Sequence, residues 1–178
     1  MIRFSLVAPL AALAVAFVAA PVAARPALGA DAAACESREG PAIEARITGL
    51  KDRKGRLKLE LYPANQTDFL RDDRDLEKEG KVFRRIWADT PASGDVAICI
   101  RVPRPGRYAL FFTHDRDGKN KFSIWQDGAG VPGNARLGRA KPKLGSAEVE
   151  VGAGIATVTI RAQYLKSIFS GFGPLGND

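Results

Sequence analysis

Apolar and polar residues alternate through much of the middle of the chain. In residues 43–47 three apolar residues alternate with Glu44 and Arg46, and residues 57–62 show the same pattern with three leucines. A period of two is typical of a β-strand with one buried face. Because the connection over residues 49–55 is short, polar and bounded by glycines, we expect these two strands to pair antiparallel.

Six further segments are also strand-like. They cover residues 82–87, 95–102, 106–113, 121–125, 146–151 and 155–164. Turn residues separate them, as in the Pro-Arg-Pro-Gly run that ends at residue 106. The strand that follows this run reads RYALFFTH and is apolar on both faces, which is typical of a central strand. Short strands at this spacing predict an all-β fold, an antiparallel two-sheet sandwich over residues 42–165.

The N-terminal segment has the composition of an export signal. Arg3 provides a positive start, residues 4–20 are almost entirely apolar, and small residues follow them. This pattern predicts a secretory signal peptide over residues 1–24, cut after Ala24, with Ala30 as the alternative site. An uncleaved membrane anchor is the other interpretation, because a helix of about 20 apolar residues can cross a bilayer.

Export would leave one domain outside the cytoplasm. Removing residues 1–24 lowers the net charge from +7 to +6 and leaves 154 residues, enough for a single domain with its own core. Residues 25–41 then form a lead segment before the first strand, and no later segment is apolar enough to cross a membrane. We expect a periplasmic or secreted protein, for which nucleic acid is not an expected partner.

The two cysteines, Cys35 and Cys99, both lie in the portion that is predicted to be exported. In an oxidising compartment an even number of cysteines favours a disulfide, and closing a loop of this length stabilises a fold by roughly 4 kcal/mol. Two alternatives stay open. Cys35 can be the lipid-bearing cysteine of a lipoprotein, or the cysteines can join the single histidine in a zinc site, although their spacing is not that of paired ligands.

The only histidine, His114, lies in the stretch THDRDGKNKF beside Asp115 and Asp117. Carboxylates on alternate residues of a short loop can converge on calcium, so these two aspartates are candidate metal ligands and calcium is a candidate cofactor. Lys119 occupies the next alternate position, where a third oxygen would be needed. The competing interpretation is a hairpin turn at the Asp-Gly pair of residues 117–118.

Two residues are candidates for contact with a ligand, and none is predicted to be catalytic. Trp125 is the first candidate, because an exposed tryptophan can stack on a sugar ring; the alternative is that it caps the core. His114 is the second. A hydrolase that uses His114 is a third-ranked interpretation, because adjacency to Asp115 does not orient the imidazole and no glycine-flanked serine elbow accompanies it.

Basic residues form two runs in this positively charged chain. They are Arg101, Arg104 and Arg107 in the first run, and Arg136, Arg139, Lys141 and Lys143 in the second. Such runs attract anions, which for an exported protein would be anionic lipids or glycans of the envelope. The alternative is a solvated surface that keeps the protein soluble. Residues 166–178 are glycine-rich without alternation and are expected to form a flexible C-terminal tail.

Three segments together resemble a known family. ITGLKDRKGRLKLELYP, PGRYALFFTHDRDGKNKF and GAGVP are similar to the pattern of secreted bacterial proteins grouped as domain of unknown function 2141, DUF2141. The His-Asp pair of that family corresponds to His114 and Asp115, its next polar position to Asp117, and its Gly-Pro corner to Gly130 and Pro132.

This resemblance implies a transthyretin-like or immunoglobulin-like sandwich in the bacterial envelope, and it implies no established activity. The chain departs from the family pattern at Lys119, where Asn or Asp is common, and over residues 133–145, where the family is rich in aromatic residues and asparagine. The predicted function is a non-enzymatic binding or accessory module. The alternative is a calcium-stabilised adhesion or carbohydrate-binding domain that uses the Asp115 loop.

Overall fold

The computed structural model describes residues 26–176, and within them it is mostly β-structure. Three short helices are α1 (Ala32–Glu36), α2 (Asp73–Lys78) and α3 (Leu144–Ala147). The strands are β1 (Ala42–Thr48), β2 (Arg56–Pro63), β3 (Arg84–Asp89), β4 (Val96–Arg101), β5 (Gly106–Asp115), β6 (Gly128–Gly130), β7 (Glu148–Val151), β8 (Ile155–Arg161), β9 (Gln163–Ser167) and β10 (Gly171–Pro174).

These strands form two sheets. The smaller sheet has the order β4-β1-β8, and the larger has the order β10-β9-β6-β5-β2-β3, with β7 also paired to β5. Strands β1 and β8 are parallel, whereas the other strand pairs in the two sheets are antiparallel. The predicted all-β sandwich is therefore confirmed.

The core fills the space between the sheets, because alternate residues of each strand face inward. Ile43 and Ile98 from the smaller sheet and Leu59 and Phe112 from the larger are completely buried. The alternation predicted from the sequence thus marks the inner face correctly. Among the described residues, no helix has the length and apolar character needed to cross a membrane.

The predicted antiparallel pairing of the first two strands is wrong. β1 pairs with β4 and β8, whereas β2 pairs with β3 and β5, so the connection over residues 49–55 crosses from one sheet to the other. A short polar connection can join two paired strands of one sheet, or it can join two strands that lie in facing sheets. β1 and β2 bury alternate residues in the same core from opposite sides. Their apolar–polar alternation would be the same if they were paired in one sheet, so the sequence does not distinguish the two arrangements.

The predicted strand over residues 121–125 is also absent. β5 continues to Asp115, and residues 116–127 form a loop that leads into β6. The backbone N–H groups of Asn120 and Ser123 donate to the side chains of Asp115 and Asp127. Because carboxylates accept these hydrogen bonds, the segment is held as a loop, and the Asp-Gly pair of residues 117–118 is one turn within it and does not form a tight hairpin.

The two ends of the described chain are joined to the sandwich. Cys35 of α1 forms a disulfide with Cys99 of β4, as predicted, and Leu28 forms a bridge with Ile98 of the same strand. At the other end β10 pairs with β9, so the region expected to be a flexible tail contributes a strand to the large sheet. The predicted signal peptide over residues 1–24 lies outside the described residues.

Candidate functional site

The outer face of the large sheet is apolar around β5, whereas its β2–β3 side carries the ion-paired residues Lys58, Glu60 and Arg85. Because residues alternate along β5, Phe112 faces the core while Phe111 faces outward. Beside Phe111 lies a second cluster of buried apolar side chains, separate from the core: Tyr62, Phe69, Leu76, Ala109, Val131 and Ala147. This cluster explains why the sequence of β5 is apolar on both faces.

A groove of about 520 Å³ continues this outer face. Its floor consists of Phe111, Ala129, Leu165 and Phe172, one residue from each of four strands of the large sheet. The groove falls within the size range of small-molecule sites, roughly 300–1,000 Å³. Its lining is predominantly apolar, so it suits a hydrocarbon chain better than a polar ligand.

One wall of the groove comes from the loop of residues 116–127. Phe122, Ile124 and Trp125 line it, and their exposed fractions are 41%, 48% and 68%. The alternative interpretation, in which Trp125 caps the core, is therefore wrong. Large apolar side chains exposed together on one surface are typical of a binding site.

A second wall of the groove belongs to residues 137–142 and carries positive charge. Arg139 and Lys141 line the groove and are exposed. Within residues 26–176, neither side chain forms an ion pair, in contrast to Arg107 of the first basic run, which pairs with Glu148 and Glu150. Part of the second basic run is thus free to meet an anion at the edge of an apolar surface.

The loop of residues 116–127 is fixed by aspartates. Asp127 is buried, and its two carboxylate oxygens accept hydrogen bonds from the backbone N–H groups of Arg116 at 2.9 Å and Ser123 at 2.7 Å. One oxygen of Asp115, Oδ2, accepts from the N–H of Asn120 at 3.0 Å. Carboxylates therefore determine the path of the segment that carries the aromatic wall.

Three carboxylates converge at the base of this loop. Asp115, Asp117 and Asp127 each offer an oxygen, and these oxygens lie within 4.8 Å of one another. Backbone hydrogen bonding from Lys119, together with the ion pair to its ammonium, lowers the pKa of Asp117. The structure thus brings together the two predicted ligands and adds Asp127, which local spacing does not reveal because it lies ten residues after Asp117.

His114 faces away from the groove and is completely buried. Its Nδ1 lies 2.7 Å from the hydroxyl of Tyr164, and its Nε2 lies 2.8 Å from the carbonyl oxygen of Lys54. A carbonyl only accepts, so Nε2 carries the proton and Nδ1 accepts from Tyr164. The tyrosine hydroxyl accepts in turn from the N–H of Lys51.

This arrangement leaves no ring nitrogen of His114 for a ligand or a substrate. Burial lowers the pKa of His114, which favours the neutral ring that the hydrogen bonds require, and burial raises the pKa of Tyr164 to about 12. Both side chains tie the connection over residues 49–55 to the large sheet. The geometry gives His114 a structural role, in contrast to its selection as a ligand-binding candidate.

Arg116 links the connection over residues 49–55 to the loop of residues 116–127 (the acidic loop). Its guanidinium forms a bidentate ion pair with Asp52, with Nε 3.1 Å from Oδ2, and it also donates to the carbonyl of Gln126. Hydrogen bonding from Arg116 lowers the pKa of Asp52 to about 2. The guanidinium of Arg116 is therefore paired chiefly with Asp52, and its charge also acts on Asp127 of the aspartate cluster.

Comparison with known proteins identifies a bacterial family. A family model described as an uncharacterized protein conserved in bacteria, DUF2141, matches residues 45–159. This span includes the acidic loop and both walls of the groove. No curated protein and no solved structure matches the chain.

Proposed function

Because the chain belongs to the DUF2141 family of bacterial proteins, a membership that assigns no activity, we propose from the groove that it is a non-enzymatic module that binds an anionic lipid. In this proposal the groove holds one acyl chain of the lipid. The single observation that carries it is the apolar groove on the outer face of the large sheet, with Arg139 and Lys141 at its edge.

The apolar lining favours an acyl chain over a sugar. A sugar that enters such a groove loses hydrogen bonds from its hydroxyl groups to water, and the apolar side chains return none, at a cost of about 1–3 kcal/mol for each unpaired group. A hydrocarbon chain loses no hydrogen bonds and removes Phe122, Ile124 and Trp125 from water. Trp125 keeps its predicted role in ligand binding, with a lipid chain in place of a sugar.

The charge at the edge of the groove favours an anionic headgroup. Arg139 and Lys141 are exposed beside the apolar surface, and within the described residues they pair with no carboxylate. A lipid whose chain occupies the groove places its headgroup at that edge. A phosphate there gains charge-assisted hydrogen bonds from both side chains.

We further propose that the protein is exported to the periplasm or secreted, as the apolar segment over residues 4–20 predicts. The disulfide is compatible with export. The proposed cut after Ala24 keeps Leu28, whose backbone bonds to Ala97 and Cys99, whereas a cut after Ala30 removes it. The intact mass of protein recovered from the periplasmic fraction is expected to correspond to a chain that begins at Arg25, and a cytoplasmic, uncut chain would contradict export.

Lipid binding can be measured through Trp125. In a Trp87→Phe background, titration with monomeric lysophosphatidylglycerol is expected to change the fluorescence of the remaining tryptophan in the described chain and to saturate at one lipid per protein. Lysophosphatidylcholine with the same acyl chain is expected to bind more weakly, because its headgroup has no net charge. A response that is absent, or equal for the two lipids, would contradict the proposal.

Charge-matched variants distinguish binding of the headgroup at the edge of the groove from non-specific attraction of the lipid to the basic surface of the protein. Replacing Arg139 and Lys141 by Gln is expected to weaken lysophosphatidylglycerol binding about threefold to tenfold, since an exposed ion pair contributes up to about 1 kcal/mol. Replacing Arg104 and Lys143 by Gln removes the same charge outside the groove lining and is expected to leave binding unchanged. Equal losses in the two double variants would indicate attraction to the whole basic surface.

A further inference from the structure

The acidic cluster contains a buried oxygen without a partner. Asp115 is only 3% exposed; its Oδ2 accepts from Asn120, while its Oδ1 has no hydrogen-bond partner. Within residues 26–176 the only other buried side-chain oxygen of this kind is Oγ1 of Thr113, on the same face of β5. A buried carboxylate oxygen that is left unpaired is strongly unfavourable. A cation bound beside this oxygen would remove that cost.

The protein groups around the cluster supply too little positive charge. Arg116 is paired with Asp52 and its charge also acts on Asp127. Asp127 uses its two oxygens to accept from backbone N–H groups. Lys119 lies near the cluster, with its Nζ 3.2 Å from Oδ2 of Asp117, but its side chain is 74% exposed. Two cations, Arg116 and Lys119, thus face four carboxylates, those of Asp52 and of the three clustered aspartates.

We infer that Asp115, Asp117 and Asp127 form a binding site for one calcium ion. Each carboxylate oxygen has more than one lone pair, so an oxygen that accepts a backbone hydrogen bond can also bind a metal. A set of oxygens without nitrogen or sulfur selects a hard cation. Calcium–oxygen bonds of about 2.3–2.6 Å can join oxygens that lie within 4.8 Å of one another.

Lys119 competes with the metal for Asp117. Its ammonium is largely exposed although Asp117 is half-buried, and an ion pair screened by water on one side is worth about 1 kcal/mol, so the ammonium can move into solvent when a divalent ion binds. The departure of this chain from its family at Lys119 then weakens the site without closing it. Removing the charge of Lys119 is expected to increase calcium affinity.

The calcium site and the groove share one segment of chain. Phe122, Ile124 and Trp125 lie between the ligands Asp117 and Asp127, and the same three residues form one wall of the groove. Calcium that holds both ends of this segment would restrict its movement before a lipid arrives, which lowers the entropic cost of binding. This consequence rests on the proposed lipid-binding function, whereas the metal site itself does not.

Thermal unfolding tests the site without any lipid. We expect millimolar calcium to raise the midpoint of the full mature protein and excess chelator to reverse the rise, because a ligand that binds only the folded state stabilises it. Asp115→Asn keeps the shape of the side chain and is expected to abolish the shift. Asp75→Asn removes the same charge from an exposed position on helix α2 and is expected to preserve the shift.

A second variant covers the case in which Asp115→Asn unfolds. In calorimetric titrations with calcium chloride, Lys119→Gln is expected to bind calcium about threefold to fivefold more tightly than the unmodified protein, which follows from the loss of one exposed ion pair. No heat of binding in either protein, or an equal midpoint shift in Asp115→Asn, would overturn the site. An equal shift with magnesium would overturn the assignment to calcium.

The two proposals fail separately. Calcium-independent stability with intact lysophosphatidylglycerol binding would reject the metal site and leave the groove. Calcium binding without any response to lysophosphatidylglycerol would reject the groove and leave the metal site. If both proposals hold, lysophosphatidylglycerol is expected to bind more weakly after chelation in the unmodified protein and equally with and without chelator in Asp115→Asn.

Discussion

Replacing both cysteines by alanine is expected to lower the free energy of unfolding by about 2–5 kcal/mol. The Cys35–Cys99 disulfide closes a loop across 64 residues of sequence, so its loss frees a long segment of the unfolded chain. In the folded state it holds α1 against β4, in a small buried cluster that includes Ala34 and Ala42. Urea unfolding at equilibrium, followed by circular dichroism, measures the difference.

Reduction provides the matched control for this prediction. The unmodified protein in excess dithiothreitol is expected to unfold at nearly the same urea concentration as the double alanine variant, because both lack the cross-link. Adding dithiothreitol to the variant is expected to change nothing. Equal stability of the oxidised protein and the variant would show that the disulfide does not stabilise the fold.

Phe112→Ala is expected to lower the free energy of unfolding by about 3–5 kcal/mol, whereas Phe111→Ala is expected to cost clearly less. Phe112 is completely buried between the sheets, so its truncation leaves a cavity. Phe111 is half-buried on the outer face, where its ring forms part of the groove floor. Urea unfolding of the two variants, which differ only in the face of β5 that is altered, measures this contrast.

Lipid binding is expected to show the reverse order. Phe111→Ala removes a large part of the groove floor and should weaken lysophosphatidylglycerol binding about tenfold, in line with the loss of one buried aromatic contact in a binding site. Where Phe112→Ala stays folded, its affinity is expected to stay close to that of the unmodified protein. In the urea experiment, equal stability losses for Phe111→Ala and Phe112→Ala would contradict the assignment of Phe111 to the outer face.

The alternation of apolar residues was sufficient to locate most strands. The predicted strands near residues 43–47, 57–62 and 106–113 all have counterparts, because burial of one face imposes a period of two on any half-buried strand. The alternation did not predict which strands pair, since the same pattern is compatible with a hairpin or with two facing sheets. The pattern also failed over residues 121–125, where it predicted a strand. Apolar residues of a loop that lines a groove resemble those of a strand that packs in a core.

The sequence also located part of the candidate site. The spacing of Asp115 and Asp117 marked them as candidate metal ligands, and the aromatic side chain of Trp125 marked it as a candidate ligand contact. Asp127 could not be recognised in this way. It reaches the cluster because the chain returns from the loop to pair β6 with β5.

By itself the sequence determined the all-β class, the disulfide pair and two of the three clustered aspartates. Each of these depends on short-range periodicity, on the number of residues of one type or on local spacing. Only the tertiary structure decided which sheet each strand joins, that His114 is buried and that a groove lies on the outer face. These features depend on contacts between residues far apart in the chain: Tyr164 meets His114 across 50 residues, and Phe172 meets Phe122 on the groove surface across a similar distance.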